Sequence, residues 1–199
     1  MVYVHEVPII KISVEVEIEA VRPLLDLIAL HESESSARAQ GVPTGYDVVA
    51  NQAFKLLKPQ CHITTMNVAE VLSWQRQVIH IAIVKGMKTG YSAAGRYQII
   101  KKTLEVLVYG ASAISLSDLF DREHQDFLAL TLLKWRGLNQ WIRKEISVDS
   151  FADNLSKEWA SLPYRTGTSY YAGDKHGNKS LVSREQVFSV LSTVRMNYG

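Results

Sequence analysis

The chain has 199 residues, 47% of them hydrophobic and 21% charged, which is enough for one sizeable core and excludes a disordered or low-complexity polymer. Its 22 Lys and Arg against 20 Asp and Glu leave a net charge of +2, too even for the basic field of a nucleic-acid-binding protein. A single cysteine, Cys61, excludes an internal disulfide and a cysteine metal cluster, and reads as a small buried apolar group.

No apolar run approaches the ~20 residues needed to span a bilayer. The opening segment "MVYVHEVPIIKISVEVEIEA" is broken by Glu6, Lys11 and repeated glutamates, so it does not read as a secretory signal. The expectation is synthesis in the cytoplasm, with export depending on something other than a leader.

From Lys11 to Glu19 apolar and polar residues alternate strictly, the period of a half-buried strand. Residues 1–20 are therefore read as an extension carrying a β-strand, and residues 21–199 as the main domain. Pro23 opens a helical stretch whose apolar face is Leu24, Leu25, Leu27, Ile28 and Leu30, running out near His31 and Glu32. Residues 33–65, rich in Gly, Pro, Ser and Thr with short pieces such as "DVV" and "HITT", predict loop plus a small antiparallel sheet.

Asn67 and Glu70 form a capping box ahead of "VAEVLSWQRQVIHIAI". A further helix is predicted after Gly95, carrying Ile99, Ile100, Leu104 and Leu107. "DREHQDFLALTLLKW" closes at Gly137, a natural C-terminal stop, and "VDSFADNLSKEWASL" ends before Pro163. The last helix, "SREQVFSVLSTV", opens with a second box at Ser183 and Gln186. Trp74, Trp135, Trp141 and Trp159 fall in helical apolar patterns and read as core or near-core. The fold class predicted is α+β, mainly helical, with the small sheet in the first half.

Cleaving a glycosidic bond requires a carboxylic acid that stays protonated near neutral pH, a state reached by burial against apolar surface. Glu32, where the most apolar helix leaves the core, has that position. In "SAAGRYQII", Gly95 lets a sugar ring or a neighbouring strand approach its backbone. Tyr97 offers a face to a pyranose, and Gln98 carries donors and an acceptor for hydroxyl or N-acetyl groups. Arg96 suits a peptide-stem carboxylate or a structural acid. The alternative reading places Tyr97 and Ile99 in the core at a helix start.

"HES" at residues 31–33, "GYDVV" at 45–49, "NVAEVLSWQ", "AAGRYQ", "FADNLSKEWASLP" and "SYYAGDKHGNK", in that order, resemble the lysozyme superfamily, specifically the bacteriophage lambda endolysin type and its lytic transglycosylase relatives. The resemblance runs from about Val21 to the C-terminus. It implies a lysozyme-like fold with a cleft between helices and sheet, Glu32 as the catalytic acid, and a substrate-binding wall of Ser33, Tyr46, Asp47, Gly95, Tyr97, Gln98 and Tyr170. Peptidoglycan glycan strands are the partner it implies.

It also implies one-acid chemistry, in which Glu32 protonates the bridging oxygen between N-acetylmuramic acid and N-acetylglucosamine and a 1,6-anhydro sugar results. Asp47 stands between two readings, a second acid of a hydrolysing muramidase and a turn aspartate bonding nearby amides. Glu34 reads as surface. His62 and His176 have no partners at metal-ligand spacing, so neither metal nor cofactor is expected. The alternating N-terminal strand suits either docking on a partner, as in a virion component carrying a lysozyme module, or an edge strand within the chain. Action in the periplasm or cell wall would follow holin-type release or delivery in a particle.

Overall fold

A computed structural model describes residues 9–87, 91–173 and 178–199, with side chains from residue 14 onward. Helix α1, Ile9–Ala29, occupies the segment read as a strand. The alternation there is also a helical stripe: Val14, Ile18, Val21, Leu25 and Ile28 follow one another at three- and four-residue steps. Val14 is packed on the core and the others are buried, whereas Val16, which a strand would have placed beside them, is 63% exposed. Packing of α1 against the C-terminal helix α9, Arg184–Asn197, and against α6, Arg122–Trp135, overrides the β preference of its Val and Ile residues. Pro23 lies inside α1 rather than at its start. Residues 1–8 of the expected extension lie outside the described residues.

The expected antiparallel sheet is absent. Among the described residues there are isolated bridges, such as Val49 with Ala94 and Ala94 with Ile99, and no strand. "DVV" makes a brief crossing, with Ala50 N donating to Ala93 O at 2.9 Å, before the chain turns into α3, Asn51–Leu56. "HITT" coils into a 3-10 turn, Ile63–Thr65, because the Asp47 carboxylate takes both the backbone N–H of Thr64 at 3.0 Å and its hydroxyl at 2.8 Å. A donor that a ladder would need is thereby used locally. The first half is helix and turn, and the fold is mainly helical.

Both capping boxes form, Asn67 with Glu70 at the start of α4, Val68–Val84, and Ser183 with Gln186 at the start of α9. α6 stops before Gly137, whose φ is 102°. The helix expected directly after Gly95 begins later, as α5, Lys101–Glu105, continued by a π turn to Gly110. α2, Ser35–Gln40, α7, Leu138–Ile142, and α8, Val148–Ser156, complete the set among the described residues; α8 ends well short of Pro163. Trp74, Trp141 and Trp159 are buried, but Trp135 is 48% exposed, and Cys61 is exposed rather than buried. Among the described residues no helix is long and apolar enough to cross a membrane.

Candidate active site

After Ala29 the backbone of α1 widens into a π-helical turn, Leu30–Glu34, with Glu32 at its centre. Such turns displace side chains from the regular helical register and recur at functional sites. Glu32 keeps part of its surface exposed. Its Oε1 accepts the Ser161 hydroxyl at 2.6 Å and the Ser161 backbone N–H at 3.4 Å. Burial pushes the Glu32 carboxyl above its ordinary range, against the opposing pull of the two Ser161 bonds. The net direction is upward, toward an acid that holds its proton to higher pH than a free glutamate does.

Ser33 is fully buried and does not face a ligand. Its hydroxyl donates to Arg96 O at 2.8 Å and lies 3.3 Å from Ala29 O, tying the Glu32 turn to the loop that carries Gln98. Gly45 packs against the same hydroxyl, since a Cβ there would stand 2.4 Å from Ser33 Oγ.

Residues 94–99 form a tight turn closed by Ile99 N donating to Ala94 O at 2.9 Å. Gly95 sits at φ +79°, and a Cβ on it would lie 2.3 Å from Gln125 Oε1, so the close neighbour is Gln125 rather than a sugar. Gln125 Oε1 accepts Arg96 N at 2.8 Å, while its Nε2 donates to Tyr46 O and Phe120 O. On the other side the buried Gln75 donates to Ser92 O at 2.6 Å and Ile99 O at 3.0 Å. Gln98, at φ 49°, remains partly exposed and donates to Gly95 O at 2.8 Å and Val48 O at 3.3 Å. Its amide oxygen has no hydrogen-bond partner among the described residues.

The structure places Tyr46 and Tyr97 in the interior, so neither presents a ring face to a sugar. Both hydroxyls donate to Asp126 Oδ1, Tyr46 at 2.8 Å, and Arg22 binds Asp126 Oδ2 at 2.7 Å. Burial, reinforced by the Asp126 charge, holds both phenols well above their ordinary range. Arg96 lies over both rings and pairs with Asp26 at 2.9 Å and Glu34 at 3.3 Å. Arg96 is thus occupied by carboxylates of its own chain, and Glu34 is one of them.

Asp47 has its buried carboxylate on Thr64, with His62 Nδ1 at 3.7 Å, and borders a groove shared with Gln40 and His62. Asp47 thus bonds a threonine 17 residues away rather than the amides of its own turn. A different groove, of about 280 Å³, contains Gln98, Trp159 and Tyr171. Glu32 does not line it but connects to it through the 159–161 segment, since Trp159 Nε1 donates to Tyr97 O at 3.2 Å two residues before Ser161. Tyr170 is 47% exposed and is the middle ring of an edge-on aromatic run between Tyr164 and Tyr171.

Sequence reasoning missed Ser161, Asp126, Arg22, Gln75 and Gln125. Ser161 lay inside the quoted "EWASLP"; the other four are isolated polar residues in helices, and nothing local marks them. Among the described residues no group of three His, Cys, Asp or Glu could hold a metal ion, and His176 lies outside those residues. The family model described as Endolysin matches residues 22–186. No curated protein and no solved structure matches the chain.

Proposed function

Because the chain belongs to the Endolysin family, and is on that ground a phage-type enzyme that degrades peptidoglycan, we propose that it is a lytic transglycosylase with Glu32 as its one catalytic acid. The observation that carries this reading is the partly buried Glu32 carboxyl, shifted toward its protonated form and held by Ser161 beside the loop bearing Gln98.

Glu32 gives its proton to the oxygen joining C1 of N-acetylmuramic acid to N-acetylglucosamine, and the C1–O bond breaks. The carboxylate so formed takes the proton of the muramyl C6 hydroxyl, whose oxygen closes on C1 as the 1,6-anhydro product. The acid is regenerated and no water is consumed. Ser161, donating two hydrogen bonds to Oε1, stabilises the intermediate carboxylate. Gln98 offers its amide oxygen to a hydroxyl or acetamido N–H, and Tyr170 its exposed ring to a sugar.

The commitment of Asp47 to Thr64 supports one-acid chemistry over a hydrolase that uses Asp47 as second acid. Glu32→Gln is expected to lower lysis of permeabilised cells by roughly 10²–10⁴-fold with the fold intact by circular dichroism. Mass spectrometry of digested sacculi is expected to find anhydro-muropeptides, one water lighter than hydrolysed ones. Retained lysis in the variant removes Glu32 from the mechanism, and fully hydrated ends from the wild type overturn the transglycosylase reading.

A further inference from the structure

The groove beyond Gln98 holds more than a sugar needs. Its far wall is apolar and open: Trp135, Ile100 and Val106 are each between 44% and 48% exposed. Four charged side chains border it. Arg136 and Glu158 neutralise one another through two bonds to Glu158 Oε2, at 2.8 and 2.6 Å. Lys102 and Lys157 remain. Lys157 donates to the neutral Asn154 at 3.1 Å, and Lys102 has no carboxylate partner among the described residues. The groove therefore carries two uncompensated cations beside an exposed indole.

That combination suits an anionic chain with apolar side groups rather than a neutral sugar. Peptidoglycan supplies one on every muramyl residue, its carboxylate-bearing peptide stem. Arg96, whose backbone carbonyl accepts the Ser33 hydroxyl next to Glu32, is taken up by Asp26 and Glu34, whereas Lys102 and Lys157 border the groove with no carboxylate partner among the described residues. Gln98 lines both this groove and the proposed cleft, and Trp159 links the groove to Ser161 and so to Glu32.

We infer that the Lys102–Lys157–Trp135 groove binds the carboxylate-bearing peptide stem of the glycan strand. This rests on the proposed cleft as the place where the strand lies, and it makes the enzyme selective for strands that still carry stems.

The test is titration calorimetry of the Glu32→Gln protein with purified glycan strands, either bearing stems or stripped of them by an amidase. Stem-bearing strands are expected to bind roughly 3–10-fold tighter, the size of two half-exposed charge contacts. Lys102→Glu and Lys157→Glu should each reduce that preference toward one, and Lys102→Arg should keep it. Thermal melts establish that each variant is folded, and Lys102→Gln replaces the glutamate variant if it is not. Equal affinity for the two strands in the parent protein overturns the inference. So does an equal loss of affinity for both strands in the lysine variants, which would make the groove a sugar site. Failure of the Glu32 assignment shows separately, as cleavage products in the titration cell.

Discussion

The Ser161 hydroxyl reaches Glu32 Oε1 at 2.6 Å from 129 positions away in the chain. This contact joins the end of α1 to the segment after α8, and it opposes the desolvation that raises the Glu32 pKa. The site thus holds an acid displaced upward by burial and partly restored by one serine.

Removing that serine should move the acid further. In Ser161→Ala the bonds that favour the carboxylate weaken, so the Glu32 pKa rises. The protonated form is the one that starts the reaction, and the limb where activity falls with rising pH is expected to shift to higher pH. Because the intermediate carboxylate also loses a donor, kcat should fall roughly 10-fold or more, at a cost of about 1.5–3 kcal/mol for a hydrogen bond to a charged group. A pH profile of kcat/KM on solubilised glycan strands checks both effects.

Stability should carry the same signature. A carboxyl whose folded pKa lies above its unfolded value binds more protons when folded, so stability falls as pH rises from the ordinary value of 4.5 through the folded value. Glu32→Gln cannot ionise. Its melting temperature relative to wild type is expected to rise as pH increases across that window and to level off above it, as read by thermal melts from acid to neutral pH. A constant difference would contradict the upward shift.

Asp126 is a buried carboxylate that three side chains depend on. It is 6% exposed and accepts from Arg22, Tyr46 and Tyr97 at once. Asp126→Ala leaves a partly buried arginine and two phenols without their acceptor, and is expected to cost about 3 kcal/mol. Urea denaturation measures it. Arg22 is itself partly solvated, which places the effect at the low end for a buried pair.

Gly95→Ala tests the turn. The substitution puts a side chain at φ +79° and a methyl 2.3 Å from Gln125 Oε1. Left-handed strain and displacement of Gln125 together should cost about 2–3 kcal/mol. Since Gln125 also holds Arg96 N, lytic activity should fall even at temperatures where the variant is folded. Unchanged stability and lysis would show that Gln125 repacks without consequence.

Legibility differed from element to element. Capping boxes at Asn67 and Ser183 were readable because their partners lie three residues apart. Alternation over residues 11–19 misled because Val14 and Ile18 satisfy a period of two and a helical four-residue step alike. "AAGRYQ" reads as a sugar-facing wall at a helix start, whereas residues 94–99 form a tight turn and Tyr97 is an interior anchor for Asp126. Its sequence neighbours contain nothing that distinguishes a buried phenol from a sugar-facing one.

The chain's order of short motifs was sufficient to indicate its Endolysin family, because the helix end, the glycine turn and the capping residues act over a few positions. Tertiary structure alone decided that α1 is a helix, that no sheet forms among the described residues, and that Ser161, Gln75, Gln125 and Asp126 position the candidate site. Those choices depend on which buried groups meet across the core. A polar side chain taken out of water needs a partner, and that partner can come from any distance along the chain.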